Sequence, residues 1–212
     1  MTAAARRFAV AAVAAIGTVA LVTGCTRQLE DARPQRAALA APITELQVAD
    51  LLSPAVAGEE GNLFVSADPQ NCSGLGREVD PPFIAAQHPL ATDGGHWTSG
   101  DGAVVVEEMV AVYRYDFDPA RALATVRQTI ESCRGTRLAV TTMSGHTYVF
   151  DVLPAAGGPE GSVLWTLRAA DWNCDNGFVA AHNAAIEITA CGAAGGFDSA
   201  KLARDARQRI DA

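Results

Sequence analysis

None of the spacings that mark hydrolytic, phosphate-binding or metal chemistry occurs in this sequence. The 212 residues contain no Gly-x-Ser-x-Gly elbow, no His-Glu-x-x-His pair, no phosphate-cradling glycine loop and no calcium-loop pattern. No two of the five cysteines are close enough to form a zinc-ligand pair. Cations are scarce, with 16 Lys and Arg against 24 Asp and Glu. That balance argues against nucleic acid as a partner and against adhesion to anionic lipid. The uncharged apolar stretch from Phe8 to Val22 is 15 residues long, too short to cross a bilayer as a helix.

What is present begins at that stretch. Arg6 and Arg7 precede it, and small residues close it, which is the build of a secretory signal. The run Leu21-Val22-Thr23-Gly24-Cys25 resembles the lipobox of bacterial lipoproteins. In that family the cysteine takes a diacylglycerol on its sulfur and the peptide is cut just before it. The resemblance implies that residues 1–24 are removed and that Cys25 carries the lipid. The membrane is then a partner through acyl chains such as palmitate, and the protein sits at the extracytoplasmic face of the cell membrane. The competing reading, an ordinary signal with an incidental cysteine, is disfavoured by Val22, Thr23 and Gly24 at the three preceding positions. Arg6-Arg7-Phe8 lacks the rest of a twin-arginine signal. Residues 25–42 read as the lipidated cysteine and a tether, polar and interrupted by Pro34 and Pro42. Glu30 and Asp31 dilute Arg27, Arg33 and Arg36, so the acyl chains must do the holding.

Cleavage leaves 188 residues, with 14 basic and 24 acidic side chains and a formal charge of −10. That is enough chain for one domain with its own core, expected over residues 43–212. Cys72, Cys133, Cys174 and Cys191 remain, an even number that reads as two disulfides in an exported chain. Around His182-Asn183, Ile186, Ile188 and Ala190 alternate with Glu187 and Thr189, which predicts a hairpin. Opposed positions then sum to 365, as 174 and 191 do. Those two fall on a non-hydrogen-bonded pair, with α-carbons roughly 4.5 Å apart, within reach of a disulfide. A register turning at Asn176-Gly177 competes and would separate the two cysteines; the first is favoured. Cys72 and Cys133 are left to each other, in a loop whose closure contributes roughly 4 kcal/mol.

The remaining pattern is that of an α+β domain, an antiparallel twisted sheet with flanking helices. Strands are expected over residues 103–117, 137–142, 146–153 and 163–170. Asp118-Pro119 opens a helix whose stripe Leu123, Val126, Ile130, Cys133 faces the core. Asp198 caps a last helix, with Phe197 and Leu202 placed as a hydrophobic staple. Ser53-Pro54 reads as a helix start, and residues 74–102 as mostly loop with a short helix after Asp80-Pro81.

Leu51-Leu52-Ser53-Pro54, Asn71-Cys72, a strand-helix unit ending at Cys133, Trp172-Asn173-Cys174, Asn183 and Cys191-Gly192 occur in order before the closing helix. Over roughly residues 43–212 this resembles the PknH-type extracytoplasmic sensor domain, found on an actinobacterial receptor Ser/Thr kinase and on many actinobacterial lipoproteins. The resemblance implies the pairings Cys72–Cys133 and Cys174–Cys191, a single α+β domain, and a large ligand cleft. The sequence contains no kinase domain, so binding is not expected to pass directly to a cytosolic catalytic domain.

Alternation also suggests where a ligand would sit. Arg114 and Asp116, Thr147 and Asp151, and Thr166 and Arg168 share strand faces with Val110, Val112, Val149 and Leu164. Aligned, they would make a mixed floor for a small amphiphilic or anionic ligand, with Arg114, Asp151 and Arg168 as its contacts. The alternative is a half-covered face whose charges pair with one another or with water. Trp165 and Tyr148 fall on the opposite face, as core. His88 and His96 with Asp93 are a weak metal set, and Ser99, His96 and Asp93 a triad on paper only. No metal and no cofactor is expected. The reading is a non-catalytic, lipid-anchored ligand-binding or sensor lipoprotein of the cell envelope, with a small molecule or an envelope protein as partner. An envelope scaffold is the alternative, and a hydrolase lies behind both.

Overall fold

Alternating burial along β4 (Arg137–Thr142) and β5 (Thr147–Pro154) gives way to near-continuous burial along β7 (Asn173–Ala181) and β8 (Ala184–Gly192). One sheet holds both halves. The computed structural model describes residues 41–212 apart from 59–60, 100–101 and 155–156. Cys25, the signal segment and most of the tether lie outside the described residues. β1 (Phe64–Asp68), β2 (Ala91–Thr98), β3 (Val105–Val112) and β6 (Ser162–Arg168) complete an antiparallel sheet of order β1-β4-β5-β6-β7-β8-β3-β2.

Two layers cover it. On the inner face, α1 (Pro82–Ala85), α2 (Pro119–Cys133) and a 3₁₀ helix (Gln70–Leu75) enclose Phe83, Val126, Phe150, Trp165 and Phe178. On the outer face, α3 (Ser199–Asp211) and the first 3₁₀ helix in chain order (Glu45–Leu51) cover β3, β7 and β8, burying Val110, Val112, Val179 and Ile186. Asp118 caps α2 by accepting from Arg121 N at 3.0 Å, and Asp198 caps α3 from Lys201 N at 2.8 Å. Buried Trp165 donates its indole N–H to Leu75 O at 2.9 Å, which ties the inner helical layer to β6. The compact unit Ala40–Ala212 contains both hydrophobic clusters and both disulfides, so it holds what it needs to fold alone.

The hairpin register pairs Ala181 with Ala184 and Cys174 with Cys191, whose α-carbons lie 4.1 Å apart in a disulfide. Cys72 is bonded to Cys133, joining the 3₁₀ helix to the end of α2. Asn183 clamps the start of the domain to the hairpin loop. Its Oδ1 accepts from Ile43 N at 2.9 Å, and its Nδ2 donates to Ile43 O at 2.8 Å and Tyr113 O at 2.9 Å.

Three local expectations are corrected. Residues 91–98, read as loop, form β2: pairing with β3 from Ala91–Val112 to Thr98–Val105 overrides Gly94 and Gly95. The strand expected to reach Phe117 ends at Val112, because β2 and β8 both end opposite that residue. Tyr113 and Phe117 instead stack, with ring centroids 4.2 Å apart. Ser53-Pro54 follows the first 3₁₀ helix and starts no helix.

Candidate ligand cleft

The sheet curls until β1 comes round to face β3 and β8. Phe64 of β1, Tyr148 of β5, Glu107 of β3 and Cys191 of β8 line one hollow. That hollow adjoins a larger cavity of about 320 Å³, and Glu78 and Glu107 border both. The larger cavity sits over β2, β3 and β8 under Leu63 and Pro81, with Met109, Glu187 and Thr189 on its sheet side. Phe64, Tyr148 and Trp172 give the smaller hollow an aromatic wall.

Glu78 is placed by β1. Its backbone N–H donates to Phe64 O at 2.8 Å, and its carboxylate accepts from Phe64 N at 2.7 Å. Burial nevertheless pushes its pKa up to about 8, aided by the charge of Glu107; the Phe64 N–H and the Thr189 hydroxyl pull the other way. Glu187 is set by the register of β8. It faces Met109 on β3 and Phe178 on β7, which turns it inward. It is 7% exposed, and its Oε2 is buried with no hydrogen-bond partner. Burial raises its pKa well above the usual carboxylate range, and the Glu78 charge adds to this. Burial, with Glu187 nearby, also pushes the Tyr113 phenol up.

Glu108 alternates to the outer face. Its carboxylate accepts from Arg209 Nη2 at 2.7 Å and Ser53 N at 2.8 Å. Burial still raises its pKa, against the pull of Arg209. This is a clamp between β3, α3 and the 53–57 turn. Gly95 is needed there: a Cβ would run into the Val56 side chain, where the turn crosses β2 and Ala57 N donates to His96 O at 2.9 Å.

The mixed floor expected from alternation is not assembled. Val110, Val112 and Leu164 lie beneath α3 and the first 3₁₀ helix, on the side away from the cleft. Asp151 and Arg168 are cross-strand neighbours on that same side. Asp151 pairs with Arg137 at 3.3 Å, and Arg168 turns to buried Asp175 at 2.7 Å. Arg114 lies past the end of β3, in a separate hollow with His88, Asp116 and Arg121. The three residues therefore do not form one floor: Asp151 and Arg168 are engaged by Arg137 and Asp175 on the face away from the cleft, and Arg114 lies beyond the sheet. Asp93 and His96, three apart on β2, point to opposite faces and form no triad. Among the described residues no group of three metal-ligating side chains is gathered.

Sequence reasoning missed Glu78, Glu107 and Glu187. For Glu187 a signal existed: the register that joins Cys174 to Cys191 also sets it opposite Phe178, an inward position.

The family model described as the PknH-like extracellular domain matches residues 34–209. LprH of Mycobacterium tuberculosis and of Mycobacterium bovis, named as a lipoprotein, is 26% identical over 153 residues, covering 70% of this chain. The match spans 64% of LprH, less than two thirds of its length. The crystal structure of the extracellular domain of PknH from Mycobacterium tuberculosis superposes with a TM-score of 0.57 at 21% identity. That match covers 81% of this chain and 96% of the PknH domain, and it shows a shared fold. With a family model matched along most of its length and a fold shared with the PknH domain, this chain belongs to the family of PknH-like extracellular domains.

Proposed function

We propose that the protein is a lipid-anchored, extracytoplasmic ligand-binding lipoprotein of the cell envelope that carries out no catalysis. The observation that carries this reading is the cavity of about 320 Å³ with a buried, unpartnered carboxylate oxygen on its wall. A folded domain that desolvates a carboxyl without pairing it holds an acceptor ready for something else. The lipobox-like Cys25 and the lipoprotein name of LprH support the anchor. No described helix is long and apolar enough to cross a membrane.

Native mass spectrometry of residues 26–212 purified from their own cell envelope, followed by gentle dissociation, tests the binding role. A retained small molecule is expected. A clean apo mass beside a co-purifying envelope protein would favour the scaffold reading, which has one observation of its own. On β5, Val149 and Leu153 stay 42% and 45% exposed on either side of Asp151. For the anchor, Cys25→Ala is expected to move the protein from the membrane to the soluble fraction; unchanged membrane retention would contradict it.

A further inference from the structure

We propose that the cleft takes an organic ammonium group, bound through Glu187 and Glu78, with the apolar body of the ligand against Leu63, Pro81 and Met109. This rests on the ligand-binding reading and names the ligand class.

Three observations carry it. The first is the empty acceptor: Glu187 is 7% exposed, lines the cavity, and leaves Oε2 without a partner. The second is the sign of the wall. Glu78, Glu107 and Glu187 line the cavity with no Arg or Lys among the lining residues, and Arg209 is held by Glu108 on the other face. An anionic ligand would meet only like charge or neutral carboxyls there, whereas an ammonium would meet acceptors. The third is the adjoining hollow with Phe64, Tyr148 and Trp172, aromatic faces that also favour a cation.

Without a ligand, protons stand in for the cation. The groups facing Glu187 are Glu78 from the loop, Met109 and Tyr113 from the β3 side, and Phe178 from β7. Farther along the wall stand Glu107 and, opposite it on β2, His96. No Arg or Lys stands among these groups, and burial favours the protonated form of Glu78 and Glu187, so an ammonium must displace a proton there. Binding therefore releases a proton, and affinity rises as pH rises toward 8.

The test uses residues 26–212 labelled with ¹³C at the methionine methyls. Met109 lines the cavity, and Met143, exposed on the surface, is the internal control. Hexylammonium is titrated against hexan-1-ol and hexanoate, which carry the same apolar body with no charge or the opposite charge. Hexylammonium alone is expected to shift the Met109 methyl, with Met143 unmoved. Its Kd should tighten by up to about tenfold per pH unit between pH 6 and 8. Glu187→Gln should weaken it by about tenfold or more, the loss of one charge-assisted hydrogen bond. Glu78→Gln serves as the second variant, and an unmoved Met143 methyl with a single cooperative melting transition reports that each folds. Hexanol or hexanoate shifting Met109 as strongly would overturn the ammonium assignment and leave ligand binding standing. No response to any of the three would also overturn it; a molecule retained in native mass spectrometry would still support the binding role, and its absence there would remove both.

Discussion

The two halves of this sheet treat the same kind of residue in opposite ways. On β5, Asp151 is exposed and pairs with Arg137 on the open face. On β8, Glu187 is enclosed between layers, and no partner meets its second oxygen. The difference is coverage. β7, β8 and β3 lie between the inner helices and the pair formed by α3 and the first 3₁₀ helix, whereas β4 and β5 are covered on the inner face only. A carboxylate on the open half costs little and contributes little. On the covered half it changes its proton affinity, and there it becomes a candidate for function.

Substitutions should separate the halves. Phe178→Ala, in the covered half, is expected to cost about 3–5 kcal/mol in urea unfolding, whereas Val149→Ala on the open face should stay within about 0.5 kcal/mol. Equal losses would mean that β5 is covered by something else. Next in size, Arg209→Ala leaves Glu108 buried with its charge uncompensated and should cost about 3 kcal/mol. Arg137→Ala removes only an exposed pair and should change stability by less than about 1 kcal/mol. A double-mutant cycle on each pair reads the contrast directly.

The pH dependence follows from the same desolvation. Glu78 keeps its proton to about 8 in the folded state, while the unfolded chain releases it near 4.5. Between those values the folded protein binds more protons, so stability falls as pH rises. The slope is about 1.4 kcal/mol per pH unit for each carboxyl held protonated. Melting temperature should therefore drop from pH 5 to pH 8, and Glu78→Gln should flatten the drop. A melting temperature that climbs across that window would contradict the burial of these groups. The smallest effect is expected from Asp151→Asn, which removes only an exposed pair with Arg137 and should change stability by less than about 1 kcal/mol.

Much of the fold was legible because it is local. The caps Asp118 and Asp198, the stripe from Leu123 to Cys133, and the β7–β8 register all rest on contacts between near neighbours in sequence. β2 was not legible. Its Gly94 and Gly95 lower strand propensity, and its place comes from pairing with β3. The site was less legible still. Alternation sorted the strand residues by face, but which face the helices cover and which the curl opens depends on β1 and β3 meeting across the cleft. The polar alternation of Glu187 and Thr189 reads locally as a solvent face, and only the register against Phe178 and Cys174 turns it inward.

The most direct measurement is a carboxyl ¹³C NMR titration of Glu78 and Glu187 in the folded domain. The pair is expected to stay protonated through neutral pH, with Glu78 near 8 and Glu187 well above the ordinary range. Midpoints near 4.5 for both would show carboxylates already ionised and solvated at neutral pH, and the buried acceptor at the centre of the binding account would not exist.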